Sequence, residues 1–470
     1  MSADSPFSFL PILAANLLPL AGVLSLGWDA GTLAFIYCVE ILFTILLAGV
    51  KAMFAQQPPT ERDDGGVLSI GNTELAEKRG SVELVEWLPP VYPRNVPFAA
   101  DVFGGVAWVS VFFFAFLSPF IEPLSLLAEP VVGLSILALI GAQVTDARRR
   151  YIGDEQYATV SPYAVVDTPL RQAFVLSILL IGIGVAGVMV GLTVIVVVKI
   201  LIEWAGFRDA DDGLLGWITG PGSTTSSESI DVPVDEPTTV IRPDRRAVLL
   251  TGTFRALVRA PWTGLLLFVV WLVLLGTSGL SVASPAGIVA TVLLFGVFLP
   301  GAVCHRVFEY YLTYGTMGYQ RRGDTLVAYD TLVESSQWAG ETGRFRNVKL
   351  LDGYLADRVY DTRTIRLQTI RSDEERRLAH VEDPDLAVDV FDLPVFSTDL
   401  DPINRVPATV AVFLGVGITA GSAAILFVPG MPGEAIPYVF FLFPPATLLV
   451  TILWKLSYPD DLSELASTSD

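Results

Sequence analysis

Long apolar stretches separated by polar loops dominate this chain. About 20 apolar residues in a helix are enough to cross the roughly 30 Å of hydrocarbon in a bilayer, and most of the stretches reach that length. They cover residues 9–26, 32–50, 98–118, 124–142, 173–204, 262–280, 283–304, 406–428 and 435–456. The pattern predicts a mainly α-helical, polytopic membrane protein.

The stretch 173–204 is too long for one simple crossing. As a single straight helix it would span about 48 Å, and Gly182, Gly184, Gly187 and Gly191 interrupt its middle. It is either one long tilted helix or two short helices folded back at the glycines. Lys and Arg collect in cytoplasmic loops, and only the folded-back arrangement puts every loop cation on one side. We therefore expect about ten transmembrane helices in five hairpins in the cell membrane, with both termini in the cytoplasm.

Residues 306–397 are long and mixed enough in composition to fold as a soluble insert. Apolar and polar residues alternate at Tyr310, Leu312 and Tyr314, and again at Ile365 and Leu367. Alternation with a period of two is typical of half-buried strands. The sequence therefore predicts a cytoplasmic antiparallel β-sheet in this insert.

A short helix is expected to follow these strands. Asp383 suits the N-cap and Pro384 the first helical position, and Leu386 and Val390 would share one apolar face. The runs YYLTYGTMGYQRRGDTLVAYDTLVES, TIRLQTI and LAHVEDPDLAVDVF resemble the bacterial pleckstrin-homology-like (PH-like) domain of membrane proteins. Residues 337–357 depart from that family's pattern, which leaves the local strand order open. The resemblance implies a membrane-proximal interaction module.

The patterns together divide the chain into five parts. These are a six-helix membrane domain (1–205), a flexible acidic linker (206–246), a transmembrane hairpin (247–305), the PH-like insert (306–397) and a second hairpin with an acidic tail (398–470).

The charge of the chain is strongly acidic. Lys plus Arg total 30 and Asp plus Glu total 49, which gives a formal net charge of -19, and only five of the cations are lysines. Such a composition suits concentrated salt, where a short Debye length weakens self-repulsion. We expect a halophilic, archaeal host, with an acidic protein from an ordinary organism as the alternative. Nucleic acid is not expected as a partner, because no basic face is visible.

Few residues suited to catalysis or metal binding are present. The two cysteines, Cys38 and Cys304, lack CxxC partners, and the two histidines, His305 and His380, lie far apart in the sequence. A disulfide framework, a zinc cluster and a Ser-His-Asp triad are therefore not expected. We expect no cofactor and no enzymatic activity.

The N-terminal region carries a second resemblance. Residues 16–51 read NLLPLAGVLSLGWDAGTLAFIYCVEILFTILLAGVK. This run is similar to the opening of an uncharacterised multi-pass membrane family common in haloarchaea, and the basic loop and glycine-containing helices of that family resemble residues 147–208. Cys38 and Ile41 replace a Trp and an Asn of the family pattern. The resemblance implies no function.

Glu40 lies near the middle of the second apolar stretch. An ionisable group at such a depth costs several kcal/mol unless it is paired or protonated. Asn16 and Tyr37 are expected to hydrogen-bond its carboxylate. The three residues could form a proton or ligand relay, or a structural hydrogen bond between helices.

Arg148, Arg149 and Arg150 follow the fourth apolar stretch. They could contact anionic lipid headgroups, or serve only as a topology signal.

Three classes of function remain open. The favoured one is a non-enzymatic membrane scaffold whose cytoplasmic insert, 306–397, binds protein or lipid. A transporter or channel that uses Glu40 is the alternative, and an intramembrane lipid-modifying enzyme is a lesser one. Membrane lipid and a protein are the expected partners, and the oligomeric state is open.

Overall fold

The computed structural model describes most of the chain after residue 29. The described residues are 30–58, 74–117, 129–167, 169–171, 173–174, 197–198, 235–278, 281, 284–351, 354–369, 375–395, 397–427 and 436–458. Three predictions therefore lie wholly or mainly outside them: the helix at 9–26, the folded-back arrangement of 173–204, and most of the linker 206–246. The chain divides into two compact units, Met1–Glu228 with Val273–Ser281, and Ser229–Leu272 with Val282–Asp470.

Three long helices form the described framework of the first unit. They are α1 (Ala30–Ala52), α2 (Val96–Leu117) and α3 (Pro130–Asp146), and α3 continues as a wide π-helical turn over Ala147–Gly153. These helices agree with the apolar stretches predicted at 32–50, 98–118 and 124–142. The start of α3 lies later than predicted, at Pro130, because proline is favoured in the first turn, where its missing N–H leaves no bond unmade.

Helix α1 packs against both of its neighbours. Leu33, Tyr37, Ile41 and Ile45 recur at a spacing of four and are buried in a cluster shared with α2, as expected for one stripe of a helix. A second stripe of α1 meets α3 through buried aliphatic and aromatic side chains. Gly49 lets α2 come close, since a Cβ there would lie 2.9 Å from Phe103 Cε1.

The helices of the second unit flank a region of β-strands. They are α4 (Arg245–Ser278), α5 (Pro285–Thr291), α6 (Leu299–Tyr310), α9 (Arg405–Phe427) and α10 (Ile436–Lys455), with π-helical turns at Val292–Phe298 and Tyr311–Gly315 on either side of α6. Among the described residues, four helical segments are long and apolar enough to cross a membrane: Gly31–Ala52, Pro130–Gly153, Arg245–Gly276 and Gly287–Gly315. These are the features of an integral membrane protein.

Seven strands and two short helices make up this region, here called the strand module. They are β1 (Thr239–Ile241), β2 (Met317–Arg322), β3 (Thr325–Asp330), β4 (Ser335–Glu341), β5 (Phe345–Leu350), α7 (Leu355–Tyr360), β6 (Arg363–Thr369), β7 (Glu375–Val381) and α8 (Pro384–Phe391). One antiparallel sheet has the order β1-β2-β3-β4, and the other the order β5-β6-β7.

Strand β1 precedes α4–α6 in the sequence, whereas the other strands of the module follow these helices. Thr239 pairs with Arg321, so the first sheet joins chain segments that the helices separate. The next residues reach the second sheet: Pro243 lies opposite Val381, and the Asp244 amide donates to the His380 carbonyl at 2.8 Å. This short segment, assigned to the flexible linker in the sequence analysis, therefore connects both sheets.

The core of the strand module is apolar and fully enclosed. Tyr319, Leu326, Ile365, Leu367 and Phe391 are among its buried side chains. The predicted alternation at Ile365 and Leu367 is confirmed as strand β6, in which both point inward.

Helix α8 begins as the sequence predicts. The Asp383 carboxylate accepts a hydrogen bond from the Leu386 amide at 3.0 Å, and Pro384 takes the first helical position. Its buried face differs from the prediction. Leu386 is 43% exposed, and Ala387 and Phe391 face the core instead.

The strand predicted around Tyr310 and Tyr314 is wrong. These residues continue α6 and its π-helical turn. Their spacing of four places the two rings on one helical face, 4.9 Å apart, and this spacing fits a helix as well as the alternation fits a strand.

Candidate functional site

The intramembrane set predicted around Glu40 is only partly described. Asn16 lies outside the described residues. Tyr37 and Glu40 lie on α1, where Tyr37 is buried in the cluster shared with α2. Glu40 is about 15 to 18 Å along the helix from either end of α1. The structure therefore places the carboxylate near the middle of a helix long enough to cross a bilayer.

Glu40 lines a narrow crevice between α1 and α3. The other lining residues are Ile36, Val39, Phe43, Ile136, Leu139, Ile140 and Gln143. The crevice has about 180 Å³ of space between atoms, including its open side, and is too narrow to hold a water molecule. Apart from Glu40 and Gln143, the lining is apolar.

Two polar side chains missed in the sequence accompany Glu40. Thr44 donates its hydroxyl to the Glu40 carbonyl at 2.8 Å, and Gln143 Nε2 donates to Thr44 Oγ1 at 2.9 Å. Among the described residues, Gln143 Oε1 is buried without a hydrogen-bond partner. In the sequence, Thr44 could have been recognised by its position four residues, or one helical turn, after Glu40. The bond between Gln143 and Thr44 joins α3 to α1, and Gln143 Oε1 could still accept a hydrogen bond from a further donor.

The predicted basic run lies at the end of α3. Arg148 and Arg149 are exposed, whereas Arg150 pairs with Asp146 at 3.0 Å. The next residue joins this end to α1, because the Tyr151 hydroxyl donates to the Lys51 carbonyl at 2.7 Å. The exposed arginines therefore lie where two helices end, a position suited to headgroup contact.

Buried polar groups close the same end of α1. Asn95 Nδ2 donates to the carbonyls of Ala52 and Ala55 at 2.9 and 2.8 Å, which satisfies acceptors that a helix end leaves open. The buried Arg94 donates to the Gln56 carbonyl and lies 4.8 Å from the Tyr92 ring centre. Burial lowers the pKa of Arg94 and raises the pKa of Tyr92.

A third cluster, absent from the sequence analysis, joins α6 to the strand module. His380 on β7 contacts Asp357 on α7 (Nδ1 to Oδ1, 2.5 Å) and the Tyr310 hydroxyl on α6 (Nε2 to oxygen, 3.0 Å). The Thr362 hydroxyl donates to Asp357 Oδ1 at 2.7 Å. Asp357 and His380 are fully buried. We call this set the Asp357–His380–Tyr310 junction.

The junction has a defined chemistry. With Nδ1–H donated to the carboxylate, His380 Nε2 accepts the phenol proton of Tyr310, and this tautomer is inferred from the partners. His380 adopts a left-handed backbone conformation with φ of 49°, which is uncommon outside glycine. Because the set is sealed from solvent, it can fasten a helix to a sheet but does not offer a reactive atom to a substrate.

The sequence held a weak signal for the junction. His380 lies in the apolar run LAHV of a chain with only two histidines. Its partners come from distant segments, and no spacing rule connects them. Across the described residues, no group of three or more His, Cys, Asp or Glu side chains lies together as metal ligands would.

Comparison with known proteins bears on the N-terminal half alone. Residues 2–211, just under half of the chain, match the model of a family described as "Family of unknown function (DUF6498)". No curated protein and no solved structure matches the chain. The matched region includes Glu40 and Arg148–Arg150 and ends before the strand module. The N-terminal half is therefore similar to an uncharacterised family, in agreement with the resemblance of residues 16–51.

Proposed function

We propose that this protein is a non-enzymatic membrane scaffold whose strand module is a cytoplasmic, PH-like platform for a protein partner. The observation that carries the proposal is the pairing of β1 with β2. These strands flank α4–α6 in the sequence, so the chain leaves the module at the start of α4 and returns to it at the end of α6. The module is thereby bound to the membrane at two points of the chain.

The Asp357–His380–Tyr310 junction supports the same proposal. Tyr310 ends α6, and its hydroxyl bonds to a histidine inside the second sheet. Gly252 of α4 lies against Tyr310, since a Cβ there would be 3.2 Å from Tyr310 Cβ. A module fixed to both helices in this way holds one orientation, as a docking platform requires.

The order of the elements supports the PH-like assignment. Sheets of four and three antiparallel strands precede one capped helix, α8, whose Phe391 fills the space between them. Antiparallel strands followed by a C-terminal helix are what the resemblance of residues 306–397 implies, whereas β1 and α7 are additional elements.

Exposed apolar side chains on the module offer a surface to a partner. Val359 on α7 is 57% exposed, and Leu386 on α8 is exposed as well. We propose these two positions as partner contacts, because apolar side chains that a partner covers are removed from water.

Site-directed photo-crosslinking in native membranes tests the proposal. A photoreactive residue is placed in the full-length chain at Val359, at Leu386, or at the exposed Leu84 of the first unit as a control. We expect one protein partner to crosslink from the module positions and not from Leu84, and to co-purify in fixed stoichiometry without crosslinking. Equal labelling from all three positions, with no co-purifying protein, would reject the scaffold.

A flux assay separates the transport alternative. Purified chain is reconstituted in vesicles and compared with Glu40→Gln. Solute flux that depends on Glu40 would replace the scaffold with a transporter.

A further inference from the structure

Helices α4 and α6 change from apolar to charged at the same level. Residues 261–278 and 285–304 contain no ionisable side chain except the thiol of Cys304, and the first charged residues beyond them are Arg259 and Arg306. Trp262, next to this boundary, is 49% exposed. Tryptophan is enriched where a bilayer meets water. The charges next to this boundary therefore lie at headgroup depth.

Three arginines gather at this level from two helices. Arg255 and Arg259 lie two turns and one turn before Trp262 on α4, and Arg306 is on α6. A Cβ at Gly252 of α4 would lie 3.2 Å from Tyr310 Cβ of α6, so the two helices are in contact next to these arginines. Electrostatic interactions link Arg259 to Arg255 and Arg306, and Glu309 is the carboxylate that acts on all three. All three guanidinium groups belong to exposed residues.

The charges in this layer are not balanced. Within the described part of the chain, none of the three arginines has a carboxylate within ion-pair distance. The half-buried Glu309 instead lies 3.9 Å from His305 Nε2. Three cations face one carboxylate, so the layer attracts an anion.

Phosphate is the anion whose geometry fits. A guanidinium group presents parallel N–H donors that match two oxygens of a phosphate, and headgroup phosphates lie at this depth of a bilayer. A net anionic headgroup adds a charge that a zwitterionic one lacks.

We propose that Arg255, Arg259 and Arg306 bind the phosphate of an anionic phospholipid headgroup. The site is separate from the partner surface of the module, and it stands whether or not that surface binds a protein. It also adjoins the junction, since the Arg255 guanidinium carbon lies 5.4 Å from the centre of the Tyr310 ring. A bound headgroup therefore neutralises the charge of Arg255, which contacts the Tyr310 ring, and the Tyr310 hydroxyl is the group that bonds to His380 of the module.

Native mass spectrometry of the full chain tests this site. The protein is released from nanodiscs of phosphatidylcholine with increasing phosphatidylglycerol, and retained lipids are counted. We expect a preference for phosphatidylglycerol that falls about fivefold with Arg259→Gln or Arg306→Gln, given about 1 kcal/mol for each basic residue at a membrane surface.

Two further variants make the test independent of folding defects. Glu309→Gln removes the competing carboxylate and should raise retention of phosphatidylglycerol, a gain that misfolding does not produce. Arg246→Gln, near the start of α4 and far from the layer, should leave retention unchanged. Equal retention of the two lipids by the wild-type chain, or an equal loss with Arg246→Gln, would overturn the proposal.

A titration with inorganic phosphate distinguishes the two sources of the anion. The delipidated chain in neutral detergent should retain no phosphate at concentrations where phosphatidylglycerol is retained. Displacement of the lipid by phosphate would instead assign the site to the free anion.

Discussion

Replacing Tyr310 with Phe removes one hydroxyl from the Asp357–His380–Tyr310 junction and leaves the ring in place. The hydroxyl is the partner of His380 Nε2, and His380 is fully buried. The variant therefore leaves a buried ring nitrogen without its hydrogen bond. Packing between Tyr310 and Tyr314 is retained, so the change isolates the polar contact.

The expected cost follows from the burial of the nitrogen. Leaving one buried group unsatisfied costs about 1–3 kcal/mol. Since about 1.4 kcal/mol changes an equilibrium tenfold, local opening of the module should become about 5- to 150-fold more frequent. The effect should be largest where the junction meets the sheet, and small in the first unit.

Amide hydrogen exchange on the full-length protein measures that opening. The Asp244 amide, which donates to the His380 carbonyl, reports directly on opening of the segment between β1 and α4, because exchange follows local unfolding. Tyr311→Phe is the matched control, since among the described residues the Tyr311 hydroxyl makes no hydrogen bond. If Tyr310→Phe and Tyr311→Phe exchange alike at Asp244, the junction does not hold the module.

Four more substitutions probe packing, capping and titration. Gly252→Ala should destabilise the module, because its Cβ would crowd Tyr310 at 3.2 Å, whereas Gly276→Ala, with open space around it, should stabilise α4 by about 0.5–1 kcal/mol; thermal unfolding of the two variants should shift in opposite directions. Asn95→Ala removes two buried hydrogen bonds to the end of α1 and should cost about 1–3 kcal/mol, seen as faster amide exchange there, and unchanged exchange would refute the cap. Burial raises the pKa of Tyr92, so its contribution to stability is complete below the unfolded tyrosine pKa and is lost as the pH rises through the folded one. Tyr92→Phe should flatten this alkaline loss, measured as protease resistance of the loop before α2, and an equally steep loss would count against it.

The sequence predicted the positions of the apolar helices well, because hydrophobic length is a local property. The stretches at 406–428 and 435–456 differ from α9 and α10 by one residue at each end. The apolar stretch at 262–280 covers only the second half of α4, because the first turns, from Arg245 to Ala260, carry four arginines.

Long-range pairing explains the larger omissions. Strand β1 has three residues in a polar segment, and its partner Arg321 follows three helices later. Likewise, Glu40 was recognisable from the cost of a charge in an apolar stretch, whereas Gln143 acquires its role only when α3 lies beside α1. Neither relation is encoded as a spacing along the chain.

The separation of β1 from β2 has a consequence for biogenesis. Strand β1 leaves the ribosome before α4 is made, and β2 is made only after α6. If α4–α6 crossed the bilayer an odd number of times, β1 and β2 would lie on opposite sides of the membrane. The first sheet would then lack its edge strand, β1. Completion of the sheet thus reports that the intervening helices have inserted with the correct parity. Among the described residues, the two segments in this part of the chain that are long and apolar enough to cross a membrane, Arg245–Gly276 and Gly287–Gly315, give the even number that the pairing requires.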